Sequence, residues 1–124
     1  MKMLYNSLAF NAMKSGLDGL AIEQKMILHN LANYETPGFK SKSVTFDKVL
    51  HKEKEKGGGV GGSYRFQATI HTNDAVELRP DGNNVDSDVE SMKLYENYVR
   101  TQYLYTKISG QFANMNYVLD QTAK

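Results

Sequence analysis

The stretch from Asn30 to Lys40 places the tightest limit on what this chain can fold into. An apolar helical pattern leads into it, and a proline followed by a glycine ends that pattern. Pro37 has no backbone N–H and disfavours the α conformation at Thr36, while Gly38 allows dihedral angles that other residues avoid. The sequence therefore predicts a long helix that ends at about Asn33 to Glu35 and is followed by an extended segment.

The composition is that of one domain with little net charge. The chain has 124 residues, a length at which a single compact core is the usual expectation. Fifteen basic and fourteen acidic residues leave a formal net charge of +1, so neither nucleic acid nor an anionic membrane surface is an expected partner. There is no apolar run of membrane-spanning length and no cleaved secretory signal, so we expect the general secretory route to be unused.

Apolar residues recur at alternating spacings of three and four from about Met3 to Asn33. This heptad-like spacing is typical of a helix in a coiled-coil contact. The residues that we expect to pack along this seam are Phe10, Met13, Leu17, Leu20, Ile27 and Leu31.

A face of small residues lies beside that seam and includes Gly16 and Gly19. One interpretation is that the small residues let another part of the structure approach the helix closely. The other is that the two glycines, at about 1 kcal/mol each relative to alanine, break the helix, with Asp18 capping a shorter one. The sequence leaves both open.

The central segment gives weaker signals. The glycine-rich run Gly57–Gly62 follows alternating charges and favours a flexible tether, because the Lys-Ser/Thr of a phosphate-binding loop is missing. Apolar residues alternate with polar ones from Tyr64 to Ile70, which predicts a half-buried strand. A turn at Asn73 would pair this strand with residues 75–79 in a small β-hairpin.

A second long helix is predicted from Ser87 to about Asp120. The spacing of Ser87 and Glu90 is that of a capping box at the helix start. The seam expected to pack comprises Leu94, Tyr98, Tyr105, Ile108, Phe112, Met115 and Leu119. A second, weaker apolar line runs through Val89, Met92, Val99, Tyr103 and Ala113.

These two apolar lines on one helix call for more than one neighbour. A two-helix hairpin can bury only one of them, and each large apolar side chain left in water forgoes about 1.5–3 kcal/mol of burial. The five tyrosines of this helix fit core packing, and they also fit a partly wet interface. We therefore expect a further partner to cover the second line.

No catalytic constellation is present in the sequence. The three histidines have no metal-ligand spacing, cysteine is absent, and no carboxylate pair stands out for acid–base chemistry. We predict no enzyme activity, no cofactor, no metal and no small-molecule substrate.

The predicted fold class is mainly α. Long N- and C-terminal helices, in residues 1–35 and 87–124, form a coiled-coil-like pair and a single domain. The central segment, residues 36–86, is expected to be flexible and to contain the small β-hairpin.

Two stretches resemble a known family. The helix stop resembles the Ala-Asn-x-x-Thr-Pro-Gly-[Tyr/Phe]-Lys signature of the flagellar rod and hook family of axial proteins. The matching residues are Ala32, Asn33, Thr36, Pro37, Gly38, Phe39 and Lys40. The segment from Asp81 to Asp86, with Asp88, Glu90 and part of the following helix, is similar to the C-terminal region of a proximal-rod member of that family.

The resemblance implies a structural subunit of the proximal rod in the bacterial flagellar basal body. It implies terminal helices that pack with other subunits into a tube around a channel, and export by the flagellar type III apparatus without a cleaved signal. The implied partners are other rod subunits, MS-ring and export-gate proteins, and copies of the same chain.

Three alternatives compete with the proximal-rod subunit. Another short rod subunit is disfavoured by the Asp81–Asp86 stretch. A soluble coiled-coil adaptor or export chaperone would have no use for the Thr-Pro-Gly string. An enzyme acting on the cell wall would need a carboxylate pair in a cleft.

Overall fold

A computed structural model describes residues 7–54, 60–74 and 78–122 of the chain. Helix α1 spans Leu8–Ala32 and helix α2 spans Ser87–Thr122. Between them, strand β1 (Lys42–Lys54) and strand β2 (Val60–Thr72) form a two-stranded antiparallel sheet. The predicted fold class, two long helices with a small β-hairpin between them, is confirmed.

Helix α1 runs without a break through its two glycines, so the helix-breaking interpretation is wrong. The Ser7 side chain caps its start by accepting from the Phe10 N–H at 3.2 Å. A Cβ added at Gly19 would lie 2.5 Å from Cε1 of Phe46 on β1, and one added at Gly16 would lie 3.3 Å from Cδ1 of Leu104 on α2. The small residues therefore let the hairpin and the second helix approach α1 closely.

The predicted strand exists, but its predicted partner is wrong. Strand β2 pairs with β1, from Lys42 opposite Thr72 to Lys54 opposite Val60. The Asn73 N–H then donates to the Ser41 carbonyl at 2.9 Å, which holds the end of β2 beside the start of β1. Of the segment predicted as the partner strand, residues 75–77 lie outside the described residues.

Part of the predicted glycine tether also belongs to the sheet. Gly61 and Gly62 pair with Glu53 and Lys52 inside the hairpin, so the tether prediction is wrong for these two glycines. Their backbone hydrogen bonds go to the facing strand, which a freely moving linker would leave to water. Residues 57–59 lie outside the described residues.

Helix α2 is capped one residue earlier than the capping box predicts. The Asp86 carboxylate Oδ1 accepts from the N–H groups of Asp88 and Val89, at 3.0 and 3.2 Å. Glu90 was predicted to reach back to the helix start, and its side chain instead contacts Asn30 and Lys93. The capping-box prediction is therefore wrong, since Asp86 performs the capping and Glu90 is used elsewhere.

The interior of the described residues is unusually polar. Its buried apolar residues are Leu20, Ile27 and Val85. Its buried polar residues are Asn30, Asn83, Asn84, Glu90 and Asn97. At mid-length the Asn97 amide donates to the Leu20 carbonyl at 2.9 Å and to Glu23 Oε2 at 2.8 Å.

The far end of the helix pair is held by aromatic packing. The rings of Phe10 and Phe112 meet edge to face, with their centroids 5.9 Å apart. Within the described residues, neither helix is long and apolar enough to cross a membrane.

Candidate functional site

The two stretches that carry the family resemblance lie against each other in the structure. The helix stop at residues 33–40 contacts the loop that leads into α2, residues 79–86. Three buried asparagines, Asn30, Asn83 and Asn84, make most of the side-chain contacts. We call these three residues and their partners the asparagine junction.

Asn83 closes the end of α1. Its Nδ2 amide donates to the carbonyls of Asn33, Tyr34 and Thr36 at 3.0, 3.0 and 2.8 Å. Carbonyls at a helix C-terminus have no partner within the helix, and Asn83 supplies a donor to three carbonyls that directly follow α1. Asn83 Oδ1 in turn accepts from the Val85 N–H at 2.8 Å, which leaves both ends of the buried amide bonded.

The Asn30 side-chain amide bonds both backbone groups of Lys42, as a residue on a neighbouring strand would. Its Oδ1 accepts from the Lys42 N–H and its Nδ2 donates to the Lys42 carbonyl, both at 2.8 Å. The same Nδ2 also donates to Glu90 Oε2 on α2 at 3.0 Å. One buried side chain on α1 therefore contacts both the hairpin and the second helix.

Asn84 joins the loop of residues 79–86 to the residue before β1 and to the residue after β2. Its Oδ1 accepts from the Ser41 N–H and its Nδ2 donates to the Asn73 carbonyl, both at 2.6 Å. Ser41 directly precedes β1 and Asn73 directly follows β2. The hairpin and the start of α2 are thereby held in one arrangement.

Glu90 is a buried carboxylate with two partners. Besides Asn30, it forms an ion pair with Lys93 Nζ at 2.7 Å, one turn along α2. A buried charge is tolerated only where partners replace the lost water. Glu90 therefore depends on Asn30, and this dependence couples the two helices.

Two glycines allow the loops of the junction to cross. Gly38 and Gly82 have φ values of +72° and +81°, in the region that L-residues with a side chain rarely adopt. The Gly38 N–H donates to the Asp81 carbonyl at 2.9 Å, and a Cβ at Gly82 would lie 3.6 Å from the Gly38 Cα. Arg79 adds a bond from Nη1 to the Tyr34 carbonyl at 2.8 Å and lies over the Tyr34 ring.

The signature residues of the helix stop contribute unequally. Asn33 donates from Nδ2 to the His29 carbonyl, and its Oδ1 accepts from the Thr36 hydroxyl. Phe39 is half-buried, with its ring edge to face against His29. Ala32 and Pro37 are exposed and Lys40 is half-buried.

Sequence reasoning noticed Asn30, Asn83 and Asn84 but assigned them no structural role. The available signal was a pair of asparagines directly after an Asp-Gly turn and two residues before a helix. An asparagine amide has both donors and an acceptor, so it suits a place where a helix end leaves backbone groups without partners.

The junction has the chemistry of a structural site. No group of three or more metal-ligating side chains occurs in the part of the chain that the structure describes. Across those same residues, every buried side-chain nitrogen and oxygen has a hydrogen-bond partner. The arrangement can hold two helices and a hairpin in fixed relative positions.

The residues predicted to pack differ in their exposure. On α1, Leu20 and Ile27 are buried, while Phe10, Met13, Leu17 and Leu31 are half-buried. On α2, Leu94, Ile108 and Met115 are half-buried, while Tyr98, Tyr105, Phe112 and Leu119 are exposed. Asn97 and Leu104, each one residue before an exposed tyrosine, lie against α1 in the middle of the helix pair.

An apolar groove of about 650 Å³ opens between the helices beside the hairpin. Among the described side chains that line it, the polar groups are the Arg100 guanidinium and the Tyr103 hydroxyl. The lining residues are Ala12, Met13, Gly16, Leu20, Phe46, Val99, Arg100, Tyr103 and Leu104.

The two long terminal helices are therefore joined where the Thr-Pro-Gly stop meets the Asp81–Asp86 loop, the two stretches that resemble the flagellar axial family. No known family model matches the chain. It is similar over most of its length to curated relatives named flagellar basal body rod protein FlgB. The relative from Bacillus subtilis (strain 168) is 31% identical over 115 residues, covering 86% of this chain and 89% of the relative.

Similar relatives occur in other bacteria. The one from Proteus mirabilis (strain HI4320) is 30% identical, covering 79% of this chain and 83% of the relative. The one from Salmonella typhimurium is 29% identical, covering 90% of this chain and 92% of the relative. The chain belongs to the FlgB family of flagellar basal body rod proteins.

Proposed function

We propose that this chain is a structural subunit of the proximal rod that assembles through its terminal helices with other rod subunits and with copies of itself. In this position it links the MS-ring and export-gate region to the rod above, and motility requires it. It reaches the basal body through the flagellar type III apparatus without a cleaved signal. It performs no catalysis.

One observation carries the assembly proposal: α2 leaves large apolar side chains uncovered on more than one side. Tyr98 and Tyr105, beside the contact with α1, are 56% and 55% exposed. The second apolar line, with Val89, Met92 and Val99 among its members, is exposed as well. Burying each such side chain contributes about 1.5–3 kcal/mol, so a helix with two exposed apolar lines gains stability from neighbouring subunits.

The asparagine junction supports the same proposal in a different way. A subunit in a rod under torque needs its helices and hairpin held at defined angles. Buried, fully bonded amides set those angles more specifically than apolar packing does, because hydrogen bonds depend on direction. The junction therefore presents the outward faces of α2 in one orientation.

The experiment is a deletion of the gene followed by imaging of isolated basal bodies. We expect membrane rings without a rod, and recovery of the rod when the gene is supplied in trans. Complete rods and hooks in the deletion strain would overturn the proposal. In that case a soluble coiled-coil adaptor or export chaperone, which would form a closed dimer, becomes the leading alternative.

A further inference from the structure

We propose that the groove between α1 and α2 receives the last turn of α2 from a second copy of this chain. The inference rests on the proposed rod function, and it names the contact that this function leaves open. Residues Tyr117, Val118 and Asp120 are the part of the second copy that enters the groove or lies at its rim.

The groove is the right size and polarity for large apolar side chains. Its volume of about 650 Å³ is enclosed by apolar side chains such as Met13 and Leu104. Val99 and Tyr103 line it and remain 47% and 60% exposed, so the single subunit leaves it uncovered. Filling the groove would bury apolar surface on both copies.

Charge favours the last turn of α2 as the occupant. Among the described residues that line the groove, Arg100 is the charged one. Its ion pair is a 3.5 Å contact with Glu96 in which both side chains are more than half exposed. Such exposed pairs are weak, and a guanidinium has donors for a second carboxylate. Asp120 lies three residues after Tyr117, on the same side of the helix, and makes no ion pair with another described residue.

The occupant must come from another molecule. Tyr117 and the groove residues Val99 and Tyr103 are on the same continuous helix. About sixteen residues separate Tyr117 from the middle of the groove, which is roughly 24 Å at 1.5 Å per residue. No bend of α2 brings its end back to its own groove.

This geometry gives an open assembly. The groove and the inserted turn are different surfaces of the same subunit, so one copy can receive a neighbour while inserting into the next. Such a head-to-tail contact repeats into a ring or a helical filament, whereas two copies that each fill the other's groove would close as a dimer. We expect neighbouring copies to be offset along the helix axis by roughly 24 Å, from the rise of 1.5 Å per residue.

Disulfide cross-linking tests the contact, because the chain has no native cysteine. The variant carrying both Val99→Cys and Tyr117→Cys should give disulfide-linked multimers larger than dimers in isolated basal bodies. Each single variant should give none. Val99→Cys combined with Lys25→Cys, an exposed position on α1, is the matched control and should also give none.

Several cross-linking results would overturn the inference. Cross-links in either single variant, or products of the double variant that stop at dimers, would indicate a closed contact between two copies and would contradict the open assembly. The absence of cross-links in a double variant that still swims would show that the last turn does not occupy the groove. A cross-link from position 99 to a different protein would identify another occupant.

Charge reversal gives a second test that does not depend on introduced cysteines. Arg100→Asp and Asp120→Arg should each reduce swimming, and the two together should restore it, since the reversed pair can form again. Additive losses in the double variant would overturn the inference. If rods are lost on gene deletion but neither test gives the expected result, the proposed function stands and only the groove contact fails.

Discussion

Asn83 donates to three backbone carbonyls where α1 ends, and its Oδ1 accepts the Val85 N–H. We expect Asn83→Asp, a change of nearly the same shape, to place carboxylate oxygens where the amide donors were. The loss of buried hydrogen bonds together with a buried charge should lower the free energy of unfolding by about 3 kcal/mol. Urea denaturation of the purified chain measures this change.

The matched control for that variant is Asn114→Asp. Asn114 is exposed on α2, so the same change in charge should alter the free energy of unfolding by less than about 0.5 kcal/mol. Equal effects of the two substitutions would show that the Asn83 hydrogen bonds do not stabilise the junction.

Replacing Gly38 by alanine and replacing Gly110 by alanine should change the free energy of unfolding in opposite directions. No atom lies within 4 Å of a Cβ added at either position, so steric clashes do not enter the comparison. Gly38 has φ of +72°, where a side chain costs about 1–2 kcal/mol, so Gly38→Ala should destabilise the chain. Gly110 lies inside α2, where alanine is better than glycine by about 1 kcal/mol, so Gly110→Ala should stabilise it. Thermal or urea unfolding measures both, and a shared sign would contradict the backbone argument.

At the scale of elements, the two candidate N-cap residues of α2, Asp86 and Ser87, can be compared directly. The sequence pattern predicts Ser87 as the capping residue, whereas the structure uses Asp86. Asp86→Ala should therefore cost about 1 kcal/mol of stability, the usual value for a lost N-cap. Ser87→Ala is the matched comparison and should cost much less. Urea unfolding of both variants settles the choice, and the reverse order would restore the capping box.

Spacing alone does not determine which residues of α2 contact α1. The predicted seam contains the half-buried Leu94, Ile108 and Met115 together with Tyr98 and Tyr105, which are exposed in the single subunit, and its packing against other subunits stays a prediction. A strict heptad drifts by about 20° per repeat relative to a straight helix, so spacing does not determine which of two adjacent residues faces the neighbour. Polar contacts from Glu90 and Asn97 to α1 determine the orientation here.

At the scale of the whole molecule, the seam of α2 should be essential for assembly. Ile108→Asp places a charge in a half-buried apolar position, and we expect it to abolish rod assembly and swimming without lowering the level of the protein. Swimming in soft agar and imaging of basal bodies measure the effect. Normal swimming would contradict the packing role of this seam. Asn114→Asp, which adds the same charge at an exposed polar position of α2, is the control and should impair swimming much less.

The sequence by itself determined the two long helices, the stop at Pro37 and Gly38, and membership of the axial family. These features depend on local backbone preferences, on short-range periodicity and on residue strings, all of which are visible along the chain. Only the tertiary structure decided the partner of β2, the choice of Asp86 as cap and the roles of the buried asparagines. Asn83 acts on carbonyls about fifty residues earlier, and Asn30 is sixty residues from Glu90. Local sequence cannot specify which distant backbone group an amide will satisfy, because that choice is made when the helices and the hairpin pack together.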